Sequence, residues 1–368
     1  MKRCTRCIMD ESDPTITFDE QGVCHHCHLY DDIKLTQGYD PLKSPKEHQQ
    51  AVDAIKKAGE GKEYDCIIGI SGGVDSCYLL HHAVQVGLRV LAVHVDAGWN
   101  SDTAVRNIHK LCKKLGVELH TVVIDWPTMK ELQRAYMFSG LANLDIPQDH
   151  VFIAAVYQYA LKHRVRAMLT GTNVATEGIN PTAWGYDNLD YTSIKSVFKT
   201  YKRKGNLRKY PHFGIFKYIY YRHKTTRYEL LNMIDYSKKE AIQTLSEKYG
   251  WEYYGGKHFE SRFTKFFQSY YLPKKFGYDK RLAHLSSLVV SGEMTREEAL
   301  HQFNYDQPYD ESSVLEERDY ILKKLDLTLD EWKDIMASPN KTEDDYKNNK
   351  QMIAKLMNLK QRFRKERG

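Results

Sequence analysis

The sequence predicts an α/β fold: a doubly wound parallel sheet of Rossmann-like type, with a small N-terminal cysteine module and a mostly helical C-terminal region. Three observations predict it. A short apolar run, Asp65-Cys66-Ile67-Ile68-Gly69-Ile70, ends in Ser71-Gly72-Gly73-Val74-Asp75-Ser76 and continues into helical text from Cys77 to Val84. Further strand-like segments then alternate with helical ones, and this order gives right-handed crossovers and a parallel sheet. Two Cys-x2-Cys pairs, Cys4/Cys7 and Cys24/Cys27, precede the α/β text. The expected units are 1–43 for the cysteine module, 44–61 for a linker helix, 62–185 for the α/β domain and 186–368 for a helical substrate or partner region.

The cysteine pairs are separated by sixteen residues, the spacing of two knuckles that close a tetrahedral Zn²⁺ site. An iron–sulfur site or four unligated thiols are the alternatives. Ile16-Thr17-Phe18 with Asp19-Glu20-Gln21-Gly22 reads as a small hairpin, and His25, His26 and His28 as solvent-facing neighbours. Four thiolates make a closed site, so the expected ion is structural and stands in for a core too small to hold by itself. Ser44-Pro45-Lys46-Glu47 is a capping box with proline at the first helical position, starting a helix that runs to about Gly59.

In the α/β domain the expected strands after the first are Arg89–Val95, Val117–Ile124 and Arg166–Thr170, with helices over 101–115 and 149–163. Ligands of such sheets lie at the carboxyl ends of the strands, at the switch point. That gathers the 71–76 loop, Asp96, and Gly171-Thr172-Asn173 around one crevice. The paired glycines let backbone approach a ligand, and a helix N-terminus offers free N–H groups, so the 71–76 loop reads as an anion cradle. It is not a Walker loop, because no Lys precedes the final Ser. Asp96 either meets an adenosine or caps its own loop.

Composition limits the rest. The chain has 368 residues, and its positive charge is local: eleven Lys and Arg and no acid lie between Lys195 and Arg227. Fifteen of the 26 tyrosines fall between Tyr186 and Tyr278. Cations with aromatic faces suit a nucleotide, a nucleic acid, an anionic surface or a protein partner. Thr295–Glu298 and Thr328–Glu331 read as capping boxes, and the basic tail from Gln351 to Arg367 as an amphipathic helix with Ile353, Leu356 and Met357 on its apolar face. No apolar run approaches a membrane span and Met1–Cys4 opens no signal peptide, which predicts a soluble, cytoplasmic protein.

The Ser-Gly-Gly-x-Asp-Ser stretch, Ser71 to Ser76, resembles the signature of the PP-loop ATP pyrophosphatases. That resemblance implies ATP cleavage between the α- and β-phosphates, AMP transfer to a substrate oxygen and release of pyrophosphate, with Ser71, Gly72, Gly73, Val74, Asp75, Ser76, Asp96, Gly171 and Thr172 around the nucleotide. Thr170 to Glu177 resembles a stretch of the NAD synthetases in which Thr and Glu help to hold Mg²⁺, which makes Glu177 and Thr172 expected Mg²⁺ residues; Asp75, in the phosphate loop, is a further expected one, or orients the loop. The loop lacks a lysine, so other cations must neutralise pyrophosphate. Candidates are Lys195 and Lys199, or Gly255-Gly256-Lys257-His258-Phe259-Glu260-Ser261-Arg262, in which Lys257 and Arg262 would act with Asp75 as the catalytic set.

More widely, Cys4-Thr5-Arg6-Cys7-Ile8-Met9-Asp10, Asp13-Pro14, Lys275 to Arg281 and Ser291 to Glu298 resemble the N-acetyl sugar amidotransferases of the WbpG, PseA and LegA types. The resemblance implies conversion of an acetamido group on a nucleotide-linked sugar, such as a UDP-sugar, to an acetamidino group in surface-polysaccharide (O-antigen) or nonulosonate biosynthesis. It also implies a separate HisH-like glutaminase with a HisF-like companion. The residues agree: Cys4 belongs to the metal site, and Cys66, Cys77 and Cys112 lie on no nucleophile elbow, so no glutaminase nucleophile is legible. The rival expectation is a PP-loop tRNA-modifying enzyme of the thiolation or lysidine type, favoured by the basic run.

Overall fold

The two cysteine knuckles start the chain in a computed structural model that describes residues 1–36, 45–185, 188–201, 204–306 and 311–353. Antiparallel bridges Arg3–Asp10 and Phe18–Cys24 build the small N-terminal unit, the second in place of the expected hairpin. Helix α1 (His25–Thr36) leads out of it. Helix α2 (Pro45–Ala58) starts at the expected proline; Ser44 lies outside the described residues, as does the tail beyond Ile353 with Leu356 and Met357.

The α/β unit runs β1 (Cys66–Gly69), α3 (Val74–Gln85), β2 (Val90–Asp96), α4 (Asp102–Leu115), β3 (Glu118–Val123), α5 (Trp126–Met137), α6 (Ile146–Lys162), β4 (Ala167–Leu169), α7 (Val174–Glu177), α8 (Tyr191–Thr200), α9 (Ile215–Lys224) and β5 (Thr226–Tyr228). All pairs are parallel, in the order β3-β2-β1-β4-β5. The chain winds outward from β1 to β3 and returns to place β4 on the other side, so the switch point lies between β1 and β4. Strand β5 is a correction to the four expected strands, and it carries the sheet past the expected boundary at residue 185. Met168 pairs with Arg227 and Leu169 with Tyr228, at the end of the basic run.

Strand residues alternate between two cores, as a sheet covered on both faces requires. Ile67, Leu91, Val93 and Val95 face α5, α6 and later helices. Cys66, Ile68, Val90 and Ala92 face α2, α3, α4 and α10 (Lys238–Tyr249). Beyond α10 the chain is helical: α11 (Arg262–Phe266), a π-helical stretch over Phe267–Phe276, α12 (Lys280–Ser291), α13 (Arg296–Tyr305), α14 (Glu311–Lys324) and α15 (Leu329–Ala337). Both expected capping boxes are present: Thr295 and Thr328 accept from the backbone of Glu298 and Glu331, whose carboxylates return the bond. The cysteine unit packs with Ile179 and Trp184 and with Leu282, Leu285 and Ala299 of α12 and α13. Among the described residues no helix is long and apolar enough to cross a membrane.

Candidate functional site

The cradle follows from the bend between β1 and α3. Gly72 has φ +85°, and a Cβ there would stand 2.7 Å from the Ala104 carbonyl oxygen, so only glycine fits. Gly171, after β4, also approaches closely: a Cβ would meet the Ser76 backbone nitrogen at 3.1 Å. The loops after β1 and β4 thus touch at the switch point. Ser76 Oγ donates to the Gly73 carbonyl at 3.2 Å and accepts from the Ser71 N–H at 3.3 Å. The Gly73 N–H donates to Ser71 Oγ at 3.2 Å and the Val74 N–H to Tyr254 Oη at 3.2 Å. Hydroxyl oxygens therefore take the N–H groups that a phosphate would use.

Charged groups close around this cradle. Asp75, in the first turn of α3, accepts a hydrogen bond from the Tyr236 hydroxyl. Burial pushes its carboxyl up, and nearby Lys257 opposes the rise. Lys257 Nζ lies 3.1 Å from Glu177 Oε1 and donates to the Thr176 carbonyl at 3.0 Å. Burial works against the charge of Glu177, but Lys257 and His258 outweigh it and hold the carboxyl below its ordinary value.

Three further groups were not singled out in the sequence. Lys238, in the first turn of α10, has its ammonium destabilised by burial and by Lys257. Lys280, at the start of α12, is pushed down to about 8 by burial against the pull of Asp149 and Asp145. Burial raises Asp149 to about 6, with His258 opposing. His258 has φ +63°, a left-handed backbone unusual for a side-chain-bearing residue, and its ring lies 5.6 Å from that of His284. The site is thus a glycine-bend N–H cradle beside three lysines and several carboxylates. It can neutralise a polyanion while keeping water partly excluded.

Two family models match the chain: "NAD synthase" over residues 48–228, and "LPS biosynthesis protein WbpG-like, C-terminal domain" over residues 260–360. The first spans the sheet and the cradle, and the second begins at Glu260, beside it. The chain thus joins a domain of the NAD synthase, PP-loop type to a WbpG-like C-terminal domain. Among curated proteins it is 29% identical over 90 residues to tRNA(Ile)-lysidine synthase of Chlamydia pneumoniae, covering 22% of this chain and 28% of that protein's length. Similar solved structures include NMN synthetase from Francisella tularensis (17% identity, TM-score 0.29, 56% of this chain and 93% of that one). NH3-dependent NAD synthetase from Campylobacter jejuni, in complex with nitrate, is 13% identical at TM-score 0.32, covering 72% and 98%. The U34-tRNA thiolase NcsA of Methanococcus maripaludis, with its [4Fe-4S] cluster, is 12% identical at TM-score 0.31, covering 89% of each chain.

Not every expected site residue faces the cradle. Arg262 pairs with Glu317 at 2.9 Å and lies 3.5 Å from the centroid of the Tyr320 ring, so it is held by α14. Arg262, expected in an anion clamp with Lys257, is thus engaged by α14; Glu317, 55 residues downstream, was not visible in the local text. Lys195 and Lys199 are exposed on α8, whose other face carries buried Ile194, Val197 and Phe198. Asp96 Oδ1 accepts from the Gly98 N–H at 2.8 Å and Asn100 Nδ2 at 3.3 Å, so it holds its own loop. Thr172 sits beside Thr170, their hydroxyls 3.0 Å apart, at the carboxyl end of β4. A hollow lined by Lys56, Glu60 and Arg89 lies at the amino ends of β1 and β2, away from the cradle.

The fold also brings the four N-terminal cysteines together. Sγ separations of 3.9 Å (Cys4–Cys27), 3.6 Å (Cys7–Cys24) and 3.7 Å (Cys24–Cys27) match the edge, about 3.8 Å, of a tetrahedron with metal–sulfur bonds of about 2.3 Å. A cluster with one iron per thiolate would spread the sulfurs wider. The N–H groups of Cys7 and Met9 donate to Cys4 and Cys7 sulfurs at 3.4 Å. His26 is buried against Asp13 at 2.7 Å, a correction to its expected exposure, and His28 bonds Asp19 at 2.8 Å. Cys66, Cys77 and Cys112 are buried, and burial raises all three thiols, Cys112 to about 11.

Proposed function

We propose that this protein is an ATP-dependent amidotransferase that converts an acetamido group of a nucleotide-linked sugar to an acetamidino group in bacterial surface-polysaccharide or nonulosonate biosynthesis. One observation carries the reading: a glycine-bend cradle of the PP-loop type opens beside Lys238 and Lys257 and beside Lys280 of a WbpG-like C-terminal region. Ser71, Gly72, Gly73, Val74 and Ser76 bind the β- and γ-phosphates of ATP, with Gly171 and Thr172 lining the crevice. The amide oxygen of the sugar attacks the α-phosphorus, pyrophosphate leaves, and an adenylylated imidate forms. Ammonia adds to the imidate carbon, AMP departs with the former amide oxygen, and a proton leaves the nitrogen to give the amidine.

An amide carbonyl is a weak electrophile with a poor leaving group, so activation by AMP is the difficult part. The chain serves it by positioning and by charge neutralisation. Lys257, with Lys238 and Lys280, neutralises the departing pyrophosphate. Asp75, Glu177 and Thr172 offer the hard oxygens that suit Mg²⁺, which would screen phosphate charge when bound. Cys4, Cys7, Cys24 and Cys27 hold a structural Zn²⁺. Buried, protonated cysteines outside that module leave no glutaminase nucleophile among the described residues, so ammonia comes from a separate glutaminase, which the resemblance to the sugar amidotransferases implies is HisH-like with a HisF-like companion.

The rival reading is tRNA modification, favoured by the 90-residue likeness to a lysidine synthase and by the basic run. Purified protein incubated with ATP, ammonium and either UDP-acetamido sugars or tRNA separates the two. Pyrophosphate release that depends on the sugar supports amidotransfer; dependence on tRNA overturns it.

A further inference from the structure

We propose that Glu260 is a carboxylate ligand for the divalent cation that accompanies the nucleotide's phosphates at the 71–76 loop. The assignment rests on ATP use at this loop, and it adds a residue to the expected Asp75, Glu177 and Thr172.

The backbone of Glu260 is pinned beside the cradle. Its carbonyl accepts from the Ser101 N–H at 2.8 Å, Ser261 bridges Asn100, and the Arg262 N–H donates to the Trp99 carbonyl at 2.8 Å. A short antiparallel crossing thus ties the segment to the loop that follows β2. The side chain turns onto the phosphate loop: Oε1 lies 3.0 Å from where a Cβ on Gly73 would stand. Any side chain at position 73 would therefore occupy the space this carboxylate uses.

The carboxylate is close to the cradle without being held by it. The Gly73 and Val74 N–H groups go to Ser71 and Tyr254 hydroxyls instead. Glu260 Oε2 is buried with no hydrogen-bond partner among the described residues. His258 Nδ1 stands 3.8 Å from Oε1, too far for a hydrogen bond, and the nearby Lys238 ammonium acts on it only through its field. A buried carboxylate oxygen without a partner is costly, and a phosphate arriving alongside raises that cost unless a cation lies between the two anions.

Magnesium meets that requirement. It is held by one or two carboxylates together with substrate phosphates and water, so it needs no complete protein cage beforehand. The other nearby carboxylates already have partners: Asp75 accepts from Tyr236, and Glu177 faces Lys257. Among the described residues, Glu260 is the carboxylate with a buried oxygen left over. Its fixed backbone also distinguishes it from the preceding glycines, since Gly255, at φ +89° with open space around it, leaves the Lys257 segment room to adjust.

The test uses the full chain, α,β-methylene-ATP as a non-cleavable probe, and Mn²⁺ as the metal. Mn²⁺ affinity of the protein–probe complex is read by electron paramagnetic resonance, and probe affinity by calorimetry with Mg²⁺ and with a chelator. Glu260→Gln should weaken Mn²⁺ binding by about tenfold or more and remove most of the gain in probe affinity that Mg²⁺ provides. Glu260→Asp keeps the charge but withdraws the oxygens by one methylene, and it should lose the tight Mn²⁺ site as well. If the Gln variant does not fold, the Asp variant carries the test alone. Wild-type Mn²⁺ affinity in Glu260→Asp would reduce Glu260 to a general field and overturn the assignment. So would tighter probe binding by Glu260→Gln in Mg²⁺, which would mark the carboxylate as an occupant of the phosphate seat. Failure of the wild-type chain to bind the probe at all would overturn ATP use itself, and the assignment with it.

Discussion

The Lys257 ammonium lies 3.1 Å from the Glu177 carboxylate, joining a segment after α10 to the short helix that follows β4. The pair spans the crevice at the switch point and keeps a cation nearly out of solvent beside the phosphate loop. Lys257→Met should lower sugar-dependent pyrophosphate release by about 10²–10³-fold, the usual cost of removing one donor to developing charge. The melting temperature should change little by comparison. Near wild-type turnover would remove Lys257 from the reaction.

Gly72→Ala tests the cradle's shape. Its φ of +85° and the 2.7 Å approach to the Ala104 carbonyl leave no room for a methyl group. Destabilisation of about 1–3 kcal/mol and loss of nucleotide binding are expected. Ser71→Ala, which removes only a hydroxyl, should keep the fold and still abolish AMP formation. Calorimetry with ATP and a thermal melt separate these outcomes.

The cysteine module depends on α13. The Arg296 guanidinium donates to the carbonyls of Cys4 at 2.9 Å and Cys7 at 3.0 Å, across nearly the whole chain. Arg296→Ala should cost about 1–3 kcal/mol by leaving these carbonyls short of donors. Cys24→Ser should release the metal, read by a chromogenic chelator, and lower the melting temperature further. Full metal content in Cys24→Ser would contradict the four-thiolate site.

Lys280 makes stability depend on pH in a definite direction. Its folded value, about 8, lies below the ordinary lysine value of 10.5, so the unfolded chain binds more protons between these limits. Stability contributed by Lys280 is present above about 10.5 and is lost as pH falls through about 8. Relative to Lys280→Met, wild type should therefore gain stability as pH rises from about 8 to 10.5. Parallel denaturation midpoints for the two proteins across that window would show that Lys280 is not desolvated.

The phosphate loop, the first four strands and the cysteine module were legible because each is a contiguous pattern: an apolar run with Gly-Gly, or paired Cys-x2-Cys. Strand β5 was not, since Thr226-Arg227-Tyr228 is three residues long, carries a charge and borrows its order from β4. The lysine cluster was only partly legible. Lys257 follows two conspicuous glycines, whereas Lys238 and Lys280 look like ordinary first-turn cations until α10 and α12 fold inward. Arg262 misled because its partner Glu317 belongs to a helix 55 residues away. His26 misled similarly, its burial depending on Asp13 across the knuckle.

The most direct measurement follows ATP labelled at the α-phosphate through turnover with a UDP-acetamido sugar and ammonium. The account predicts labelled AMP and unlabelled pyrophosphate, formed in step with an amidine. Labelled ADP with orthophosphate, or AMP formation indifferent to the sugar, would contradict it.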